Sequence, residues 1–347
     1  MKIKALFVGL GSIGQRHLRN IKAIEGDNVE CIAYRSKRLT PMLTDDMQVV
    51  HDGSLRETYG LKEYDNFDQC LEEKPDIAFI TNPSSMHVEY AIKCASHGCA
   101  MFIEKPLSSS LDGVSELRTL CENKSIISFV GFQLRFDNSL RMLKNYIDEK
   151  IIGNIISAEI HQAEYLPNWH PYEDYSTSYA SRKELGGGVI LTQIHEIDYT
   201  LWLFGKPVSV YCVGSKRSKL NVAVEDTASI LLKYKENKTY YPVNINLDYL
   251  QRPPRRGCII VGDNGKIEWD FHANSIIFHN SNGEIIQHTF PQRKRNDLFM
   301  KEMVHFLDCY KMGKQTMIPV TVGEDRLRIA LAALESLETG KPVDIIV

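Results

Sequence analysis

The chain has 347 residues, of which 43% are hydrophobic and 24% are charged. This composition is typical of a folded globular protein, and it excludes a largely disordered chain, a collagen-like fibre and a disulfide-stabilised miniprotein. The formal net charge of −3 at pH 7 gives no global reason to bind nucleic acid or an anionic membrane, so we expect neither as a partner.

Apolar runs and cysteines indicate the compartment. The start of the chain, residues 1–9, is too short and too quickly interrupted by glycine to be the core of a signal peptide, and no later run approaches the ~20 apolar residues of a membrane span. The eight cysteines include no Cys-x-x-Cys pair and no compact Cys/His cluster. We therefore expect reduced, mostly buried thiols, no metal site and a cytoplasmic protein.

The first predicted elements are a strand, a glycine-rich turn and a helix. Gly9, Gly11 and Gly14 have the spacing G-x-G-x-x-G, which allows a tight turn, a close approach of a pyrophosphate and helix–strand packing. Ser12 and Ile13 lie at the start of the helix, whose free amides attract phosphate. This pattern predicts a dinucleotide site, and the alternative is that the glycines only shape a tight turn.

The second predicted strand, residues 29–34, ends in a basic segment. NAD-selective proteins normally carry Asp or Glu at this point, where the carboxylate binds the ribose hydroxyls. Here Arg35, Ser36 and Arg38 follow the strand, and these side chains can donate to a 2′-phosphate. The segment favours NADP over NAD as cofactor, although a solvated basic loop would have the same composition.

Two further buried strands, residues 75–81 and 99–103, end in polar residues. Ligands of open parallel sheets bind beyond the carboxyl ends of the strands, so these residues are expected at the cofactor site. They are Thr81, Asn82, Pro83 and His87 after the first of these strands, and Glu104 and Lys105 after the second.

The second half of the chain has a different pattern. Alternating polar and apolar residues predict a mostly antiparallel sheet, and residues 299–310 and 323–337 are predicted as amphipathic helices. An open sheet face is a liability unless it is covered, so we expect a homodimer or homotetramer. The stretches with the alternating pattern are 155–163, 208–213, 228–234, 242–247 and 257–261.

Polar and aromatic residues of the second half are candidates for substrate binding. Residues 165–182 form a polar aromatic segment that predicts a substrate loop, the alternative being an ordered surface loop. Arginines at 252, 255 and 256 could hold an acidic or nucleotide-linked sugar, or could form a solvated turn. The predicted substrate-binding residues are Gln133, Arg135, Trp169, His170, Asp174, Tyr179, Arg182, Thr192, Arg252 and Arg255.

Together these motifs resemble the Gfo/Idh/MocA family of NAD(P)-dependent oxidoreductases, which act mainly on sugars, sugar nucleotides and cyclic polyols. The matching segments are residues 9–14, 81–87, 104–106, 186–188 and 195–198. The resemblance implies a dinucleotide-binding Rossmann domain with a doubly wound parallel sheet at 1–125. It also implies an α+β domain at 126–347, with an open, mostly antiparallel sheet for substrate binding and oligomerisation.

The resemblance implies a secondary alcohol–ketone interconversion on a small carbohydrate. Lys105 would bond the reacting oxygen and His195 would transfer the proton, or the two roles could be reversed. Thr192 stands where family members commonly carry a carboxylate or an amide, and a threonine cannot act as a base. The alternatives are a glycoside hydrolase that uses NAD transiently and a non-catalytic regulatory protein that binds a dinucleotide.

Overall fold

The computed structural model describes residues 2–35 and 41–345. Within these ranges, six parallel strands form one sheet in the spatial order β3-β2-β1-β4-β5-β6. Every residue of the fourth and fifth strands is buried, as expected for parallel strands covered on both faces. The strands are β1 (Ile3–Val8), β2 (Val29–Tyr34), β3 (Lys62–Tyr64), β4 (Ile77–Ile80), β5 (Ala100–Ile103) and β6 (Ser128–Val130).

The register of this sheet brings the strand ends to one level. Val8 pairs with Tyr34 on one side and with Ile80 on the other, and Ile80 pairs with Ile103. The residues that follow these strands therefore lie side by side at one edge of the sheet. The prediction of a doubly wound parallel sheet is confirmed.

Helices connect the strands of the first sheet. The helix after the glycine turn begins at Ser12 and buries Leu18 and Ile21, which are the apolar positions that its periodicity predicts. The last of these helices begins at Val114, because side-chain hydrogen bonds of Ser110 and Asp112 form a turn before it. The helices are α1 (Ser12–Glu25), α2 (Leu55–Tyr59), α3 (Phe67–Glu72), α4 (His87–Ser96) and α5 (Val114–Asn123).

A second sheet contains nine strands in the described part of the chain. They are β7 (Ile155–Ala163), β8 (Ser209–Ser215), β9 (Thr227–Glu236), β10 (Thr239–Asp248), β11 (Arg255–Gly262), β12 (Gly265–Asp270), β13 (Ser275–Asn280), β14 (Ile285–Thr289) and β15 (Val343–Asp344). Pairing is antiparallel except between β7 and β10. The mostly antiparallel sheet is therefore confirmed.

One face of the second sheet is covered by helices and the other is open. The remaining helices are α6 (Asn138–Asp148), α7 (Val189–Thr192), α8 (His195–Phe204), α9 (Asp297–Met312) and α10 (Val320–Thr339). Large apolar side chains are exposed on the strands, among them Ile156, Val213, Leu231 and Tyr240.

The last helices return to the first sheet. Helix α9 packs on α1, and α10 packs on α5 and β6. An ion pair of 2.5 Å joins Lys311 Nζ of α9 to Glu25 Oε1 of α1. Strand β6 lies after residue 125, where the sequence predicts the first domain to end, and yet it pairs with β5 of the first sheet. Helix α10 also packs on β8 of the second sheet, so it joins the two sheets, and a cleft lies between them.

The state of the cysteines and the character of the helices can be read from the structure. All eight cysteines are buried and carry free thiols. Of the helices in residues 2–35 and 41–345, none has the length and apolar character that crossing a membrane requires.

Candidate active site

A cleft of about 1070 Å³ lies between the carboxyl edge of the first sheet and the second sheet. Its first side, here called the cofactor half, consists of the glycine turn at residues 9–14 and the residues after β2, β4 and β5. Its other side, the substrate half, consists of cleft-lining residues from the ranges 162–193 and 256–272. The segment 292–299 also lines the cleft. A concave site of this size between domains is typical of cofactor-dependent enzymes.

The glycine turn leaves room for a phosphate group. A Cβ atom at Gly9 would lie 2.9 Å from the backbone nitrogen of Asn82, and one at Gly14 would lie 2.4 Å from the carbonyl oxygen of Gly9. A Cβ at Gly11 would meet no atom within 4 Å, and Gly11, Ser12 and Ile13 line the cleft. Two glycines thus serve close packing, and Gly11 keeps open the space beside the α1 N-terminus, where a pyrophosphate is attracted.

The loop after β4 is braced from both sides. The Thr81 hydroxyl donates to the carbonyl oxygen of Gly9 at 2.6 Å. The two ring nitrogens of His87 lie 2.7 Å from the carbonyl oxygen of Asn82 and 2.9 Å from that of Pro106. Burial lowers the pKa of His87, and a neutral ring between the two loops can donate to only one of these two carbonyl oxygens. Pro83 lines the cleft in the same loop.

Lys105 and His195 meet at the junction of the two halves. The Lys105 ammonium group donates to the carbonyl oxygen of Thr192 at 2.8 Å. His195, three residues further on, is buried, and its pKa is lowered well below the ordinary value by desolvation and by the positive charges of Lys105 and Arg256. A neutral imidazole therefore lies beside two cations, whose charges oppose its protonation.

A helix break exposes the carbonyl that Lys105 uses. The sequence predicts one helix after residues 186–188, whereas the structure has α7 and α8 with Gln193 and Ile194 between them. The Thr192 carbonyl therefore lies at the end of α7, where carbonyls lack helical partners. The Thr192 hydroxyl is bonded to the Gly188 carbonyl and to the Tyr249 hydroxyl, so its side chain is already engaged.

Several buried polar atoms of cleft residues have no hydrogen-bond partner in the part of the chain that the structure describes. They are Asn82 Oδ1 and Nδ2, Gln162 Oε1, Trp169 Nε1, Gln193 Oε1 and His195 Nδ1. Leaving such an atom unpaired costs about 1–3 kcal/mol. A ligand with many hydroxyl groups would supply both donors and acceptors to this set.

Sequence reasoning missed some of the cleft residues. Gln162 lies on β7 in phase with the buried Ala158 and Ile160, and a polar residue at an inward position is a signal that could have identified it. Gln193, next to Thr192, is also buried. Phe271 and His272 follow β12 and line the cleft, but nothing in their sequence context distinguishes them from other loop residues.

The loop 165–182 contributes part of what was expected. Trp169, His170, Tyr179 and Arg182 line the cleft. Asp174 is not among the lining residues, because its Oδ1 accepts from the Ser176 backbone N–H at 2.9 Å and so begins a turn of 3-10 helix. Gln133, after β6, also lines the cleft.

Three of the predicted substrate arginines lie elsewhere. Arg135 is buried and forms two hydrogen bonds with Asp198, of 2.9 and 2.6 Å, because that carboxylate requires a buried cation. Arg252 stacks over the Tyr165 ring at 3.9 Å, and the exposed Arg255 begins β11. Neither of them lines the cleft. These placements correct the expectation that all three face the substrate.

Arg256, in contrast, lines the cleft. Its Nε donates at 2.9 Å to Oε1 of Glu196, whose side chain is fully buried. The pair places a fixed guanidinium group beside His195, and the charge of that group is balanced by the carboxylate. A neutral ligand is therefore compatible with this part of the cleft.

At the opposite end of the cofactor half, Arg35 lines the cleft and forms an ion pair of 2.7 Å with Glu63. Ser36 and Arg38, which the sequence also assigns to the cofactor, lie outside the described residues. Glu104 lines the cleft next to Lys105, and its Oε1 lies 2.7 Å from His17 Nε2.

Comparison with known proteins gives two family matches. Residues 3–132 match an oxidoreductase family with an NAD-binding Rossmann fold, GFO_IDH_MocA, and residues 140–268 match the GFO/IDH/MocA C-terminal domain. A myo-inositol 2-dehydrogenase of Thermotoga maritima is 26% identical over 97% of each chain.

Solved structures share the fold. A myo-inositol 2-dehydrogenase of Lactobacillus plantarum matches over all of both chains, with a TM-score of 0.78 and 23% identity. A levoglucosan dehydrogenase in complex with NADH and levoglucosan has a TM-score of 0.82 at 16% identity, covering 99% of this chain and 100% of that one.

Proposed function

Because the chain belongs to the Gfo/Idh/MocA family of oxidoreductases, we propose that it interconverts a secondary alcohol and a ketone on a cyclic polyol or a sugar. The observation that carries this proposal is the set of unpartnered buried polar atoms on residues of the same cleft as Lys105 and His195. Such a set suits a polyhydroxylated ring better than an apolar substrate. The named relatives include dehydrogenases of inositols, and one structural neighbour binds levoglucosan.

The glycine turn and the strand ends of the cofactor half would hold NAD or NADP. Gly11 leaves space for the pyrophosphate, and Thr81, Asn82 and Pro83 would contact the cofactor above β4. The bound nicotinamide supplies or accepts the hydride. Arg35 lines this end of the cleft and can donate to a 2′-phosphate, which supports NADP, but Glu63 balances its charge at 2.7 Å, so binding that phosphate would require the ion pair to rearrange.

Lys105 and His195 would handle the proton. The Lys105 ammonium group can donate to the reacting oxygen and hold it in place, as it now holds the Thr192 carbonyl. Burial and neighbouring cations lower the pKa of His195 and keep its ring neutral, and this ring would take the hydroxyl proton as the hydride leaves, when the reacting oxygen holds that proton least tightly. In the reverse direction, the same group would return the proton.

The substrate half favours a neutral substrate. Of the arginines at 252, 255 and 256, only Arg256 lines the cleft, and Glu196 balances its charge. An acidic or nucleotide-linked sugar would require an unbalanced cation at this point. Arg256, Gln162 and the Trp169 indole can instead donate to or accept from ring hydroxyls.

We further propose a homodimer or homotetramer in which the open face of the second sheet is covered. Exposed Ile156, Val213, Leu231 and Tyr240 give this face its apolar character. Eight free thiols suit a reducing compartment, which supports a cytoplasmic location.

The test is a substrate panel. The reduced nicotinamide is followed by its near-ultraviolet absorbance with inositols, levoglucosan, hexoses and nucleotide sugars, each with NAD and with NADP. Steady accumulation of reduced cofactor with a neutral polyol supports the proposal. Product release without net reduction would instead indicate cofactor-assisted glycoside cleavage. Tight cofactor binding without turnover of any substrate would indicate a regulatory protein.

A further inference from the structure

A buried pair of carboxyl groups lies behind the cofactor half of the cleft. Glu302, on α9, is 0% exposed, and Glu104, after β5, is 7% exposed. One oxygen of each carboxyl group and a ring nitrogen of His17 lie within 4.8 Å of one another. Glu302 is not among the residues that line the cleft, so the proposed reaction does not use it directly.

The surroundings of this pair are apolar and aromatic. The His17 ring lies 4.6 Å from the Phe102 ring and 6.3 Å from the Phe299 ring, measured between centroids. Neither carboxyl oxygen of Glu302 has a hydrogen-bond partner among residues 2–35 and 41–345. Two charged carboxylates side by side in such surroundings would be strongly unfavourable, so the site requires a proton or a cation between them.

The cationic side chains on neighbouring elements form hydrogen bonds or ion pairs with groups other than this carboxyl pair. Lys301, which precedes Glu302, donates to a carbonyl after β6 and to an asparagine at the start of α6. Arg16 of α1 donates to the asparagine before α9 and to a loop carbonyl. Lys105 donates to the carbonyl that ends α7. Arg135, in the segment packed on α9, is paired with Asp198.

The geometry favours a proton over a metal ion. His17 Nε2 and Glu104 Oε1 lie 2.7 Å apart, which is an ordinary hydrogen-bond distance and leaves these two atoms engaged with each other. A hydrogen bond with His17 also satisfies one oxygen of Glu104. The group that then lacks a partner is Glu302, and a neutral carboxylic acid can donate to the neighbouring carboxylate.

We propose that Glu302 is held as a neutral carboxylic acid that shares its proton with Glu104, and that this shared proton positions the turn presenting Lys105. Glu104 transmits the effect because its Oε2 accepts from the Lys105 backbone N–H at 3.2 Å. Glu302 is thus a positioning residue, and this part of the inference rests on the proposed role of Lys105.

The pKa of Glu302 agrees in direction with this assignment. Burial raises it well above the ordinary value, and the adjacent Glu104 carboxylate raises it further. The folded state therefore binds this proton more tightly than the unfolded state. The associated stability is fully present below the unfolded pKa and is lost as the pH rises through the folded pKa.

The first experiment needs neither substrate nor cofactor. Melting temperatures of the wild-type chain and of Glu302→Gln are compared from pH 5 to pH 9, with Asp308→Asn, an exposed site on the same helix, as control. The amide cannot ionise, so the variant should gain about 2–4 °C relative to the wild type over this range, whereas the control should follow the wild type. A difference between variant and wild type that does not change with pH would overturn the proposal.

Infrared spectroscopy gives a direct readout of the proton. The difference spectrum between the wild type and Glu302→Gln at pH 8 should contain the carbonyl stretching band of a protonated carboxylic acid. Its absence contradicts the assignment. A divalent cation that copurifies in stoichiometric amount and is lost in Glu302→Gln would also overturn it, because the buried charge would then be balanced by a metal.

The positioning role is tested separately. Glu302→Leu should lower kcat by about tenfold, the effect of a small displacement of Lys105, with the Kd for cofactor nearly unchanged. Glu302→Gln, which retains a polar donor, should restore most of the rate. Equal losses in both variants would overturn the positioning role, while the pH and infrared results would still report on the proton.

Discussion

The cofactor half and the substrate half of the cleft are built in different ways. The cofactor half consists of residues that directly follow parallel strands, and the strand register alone brings them together. Backbone groups complete it, as in the bond from the Thr81 hydroxyl to the Gly9 carbonyl. Its geometry therefore exists before any ligand binds.

The substrate half is assembled from side chains that are distant in sequence. Gln162 comes from β7, Gln193 from the break between α7 and α8, and Arg256 from β11. Its unpartnered buried atoms include oxygens of Gln162 and Gln193. The difference teaches that one half can be recognised from short motifs, whereas the other is brought together only by the tertiary fold.

The largest effect is expected where the two halves meet. Lys105→Met removes the ammonium group that we assign to the reacting oxygen, and turnover should fall by about a hundredfold or more, the scale of lost acid–base catalysis. Cofactor affinity should stay close to that of the wild type, because the glycine turn is unaffected. Steady-state kinetics and fluorescence titration of the cofactor measure the two quantities.

The matched control for this substitution is Lys124→Met, an exposed residue directly after α5 that is not among the residues lining the cleft. It removes the same charge at a distance from the cleft and should leave kcat unchanged. Unchanged turnover in Lys105→Met would reject the assignment of this residue.

The next largest effect concerns the cofactor half alone. Arg35→Asp should weaken NADP by about tenfold or more, since a charge-assisted hydrogen bond to phosphate is worth about 1.5–3 kcal/mol, and should change NAD much less. Dissociation constants for both cofactors are measured by titration. Similar losses for NAD and NADP would show that Arg35 does not distinguish the two cofactors. The variant Arg35→Gln serves as a control, because it removes the guanidinium group without adding a negative charge beside Glu63.

The sequence predicts the cofactor half well because its determinants are local. The glycine spacing and the residues after each strand are fixed once the parallel sheet forms. The substrate half was predicted less completely. Arg135 was expected at the substrate, but its partner Asp198 lies 63 residues away in the chain, and no local pattern indicates such an ion pair.

The break between α7 and α8, after Thr192, also depends on contacts that are distant in sequence. The sequence predicts one helix after residues 186–188, and tertiary contacts decide where it is interrupted. Gln193 lies at this interruption and donates to the carbonyl of Asp248 at the end of β10. Contacts between distant strands and helices thus determine which side chains reach the substrate half.

Substitutions at Gly11 and Gly14 separate cofactor binding from close packing within the glycine turn. Gly11→Ala places a methyl group in open space, so the melting temperature of the cofactor-free chain should hardly change, while cofactor affinity falls by about tenfold, or roughly 1.4 kcal/mol. Gly14→Ala places the methyl group 2.4 Å from the Gly9 carbonyl oxygen and should destabilise the cofactor-free chain itself. Thermal melts with and without cofactor distinguish the two. Equal behaviour of both variants would contradict the division of roles within the turn.

The smallest effect is expected in the substrate half. Gln162→Leu removes from the cleft a side-chain amide whose oxygen is unpartnered. One neutral hydrogen bond to a ring hydroxyl is worth about 0.5–1.5 kcal/mol. The KM for the polyol should therefore rise by about three- to tenfold with cofactor affinity unchanged. Glu159→Gln, on the exposed side of the same strand, should change neither. A rise in the Kd for cofactor with an unchanged KM would place Gln162 in the cofactor half and so remove the boundary drawn between the two.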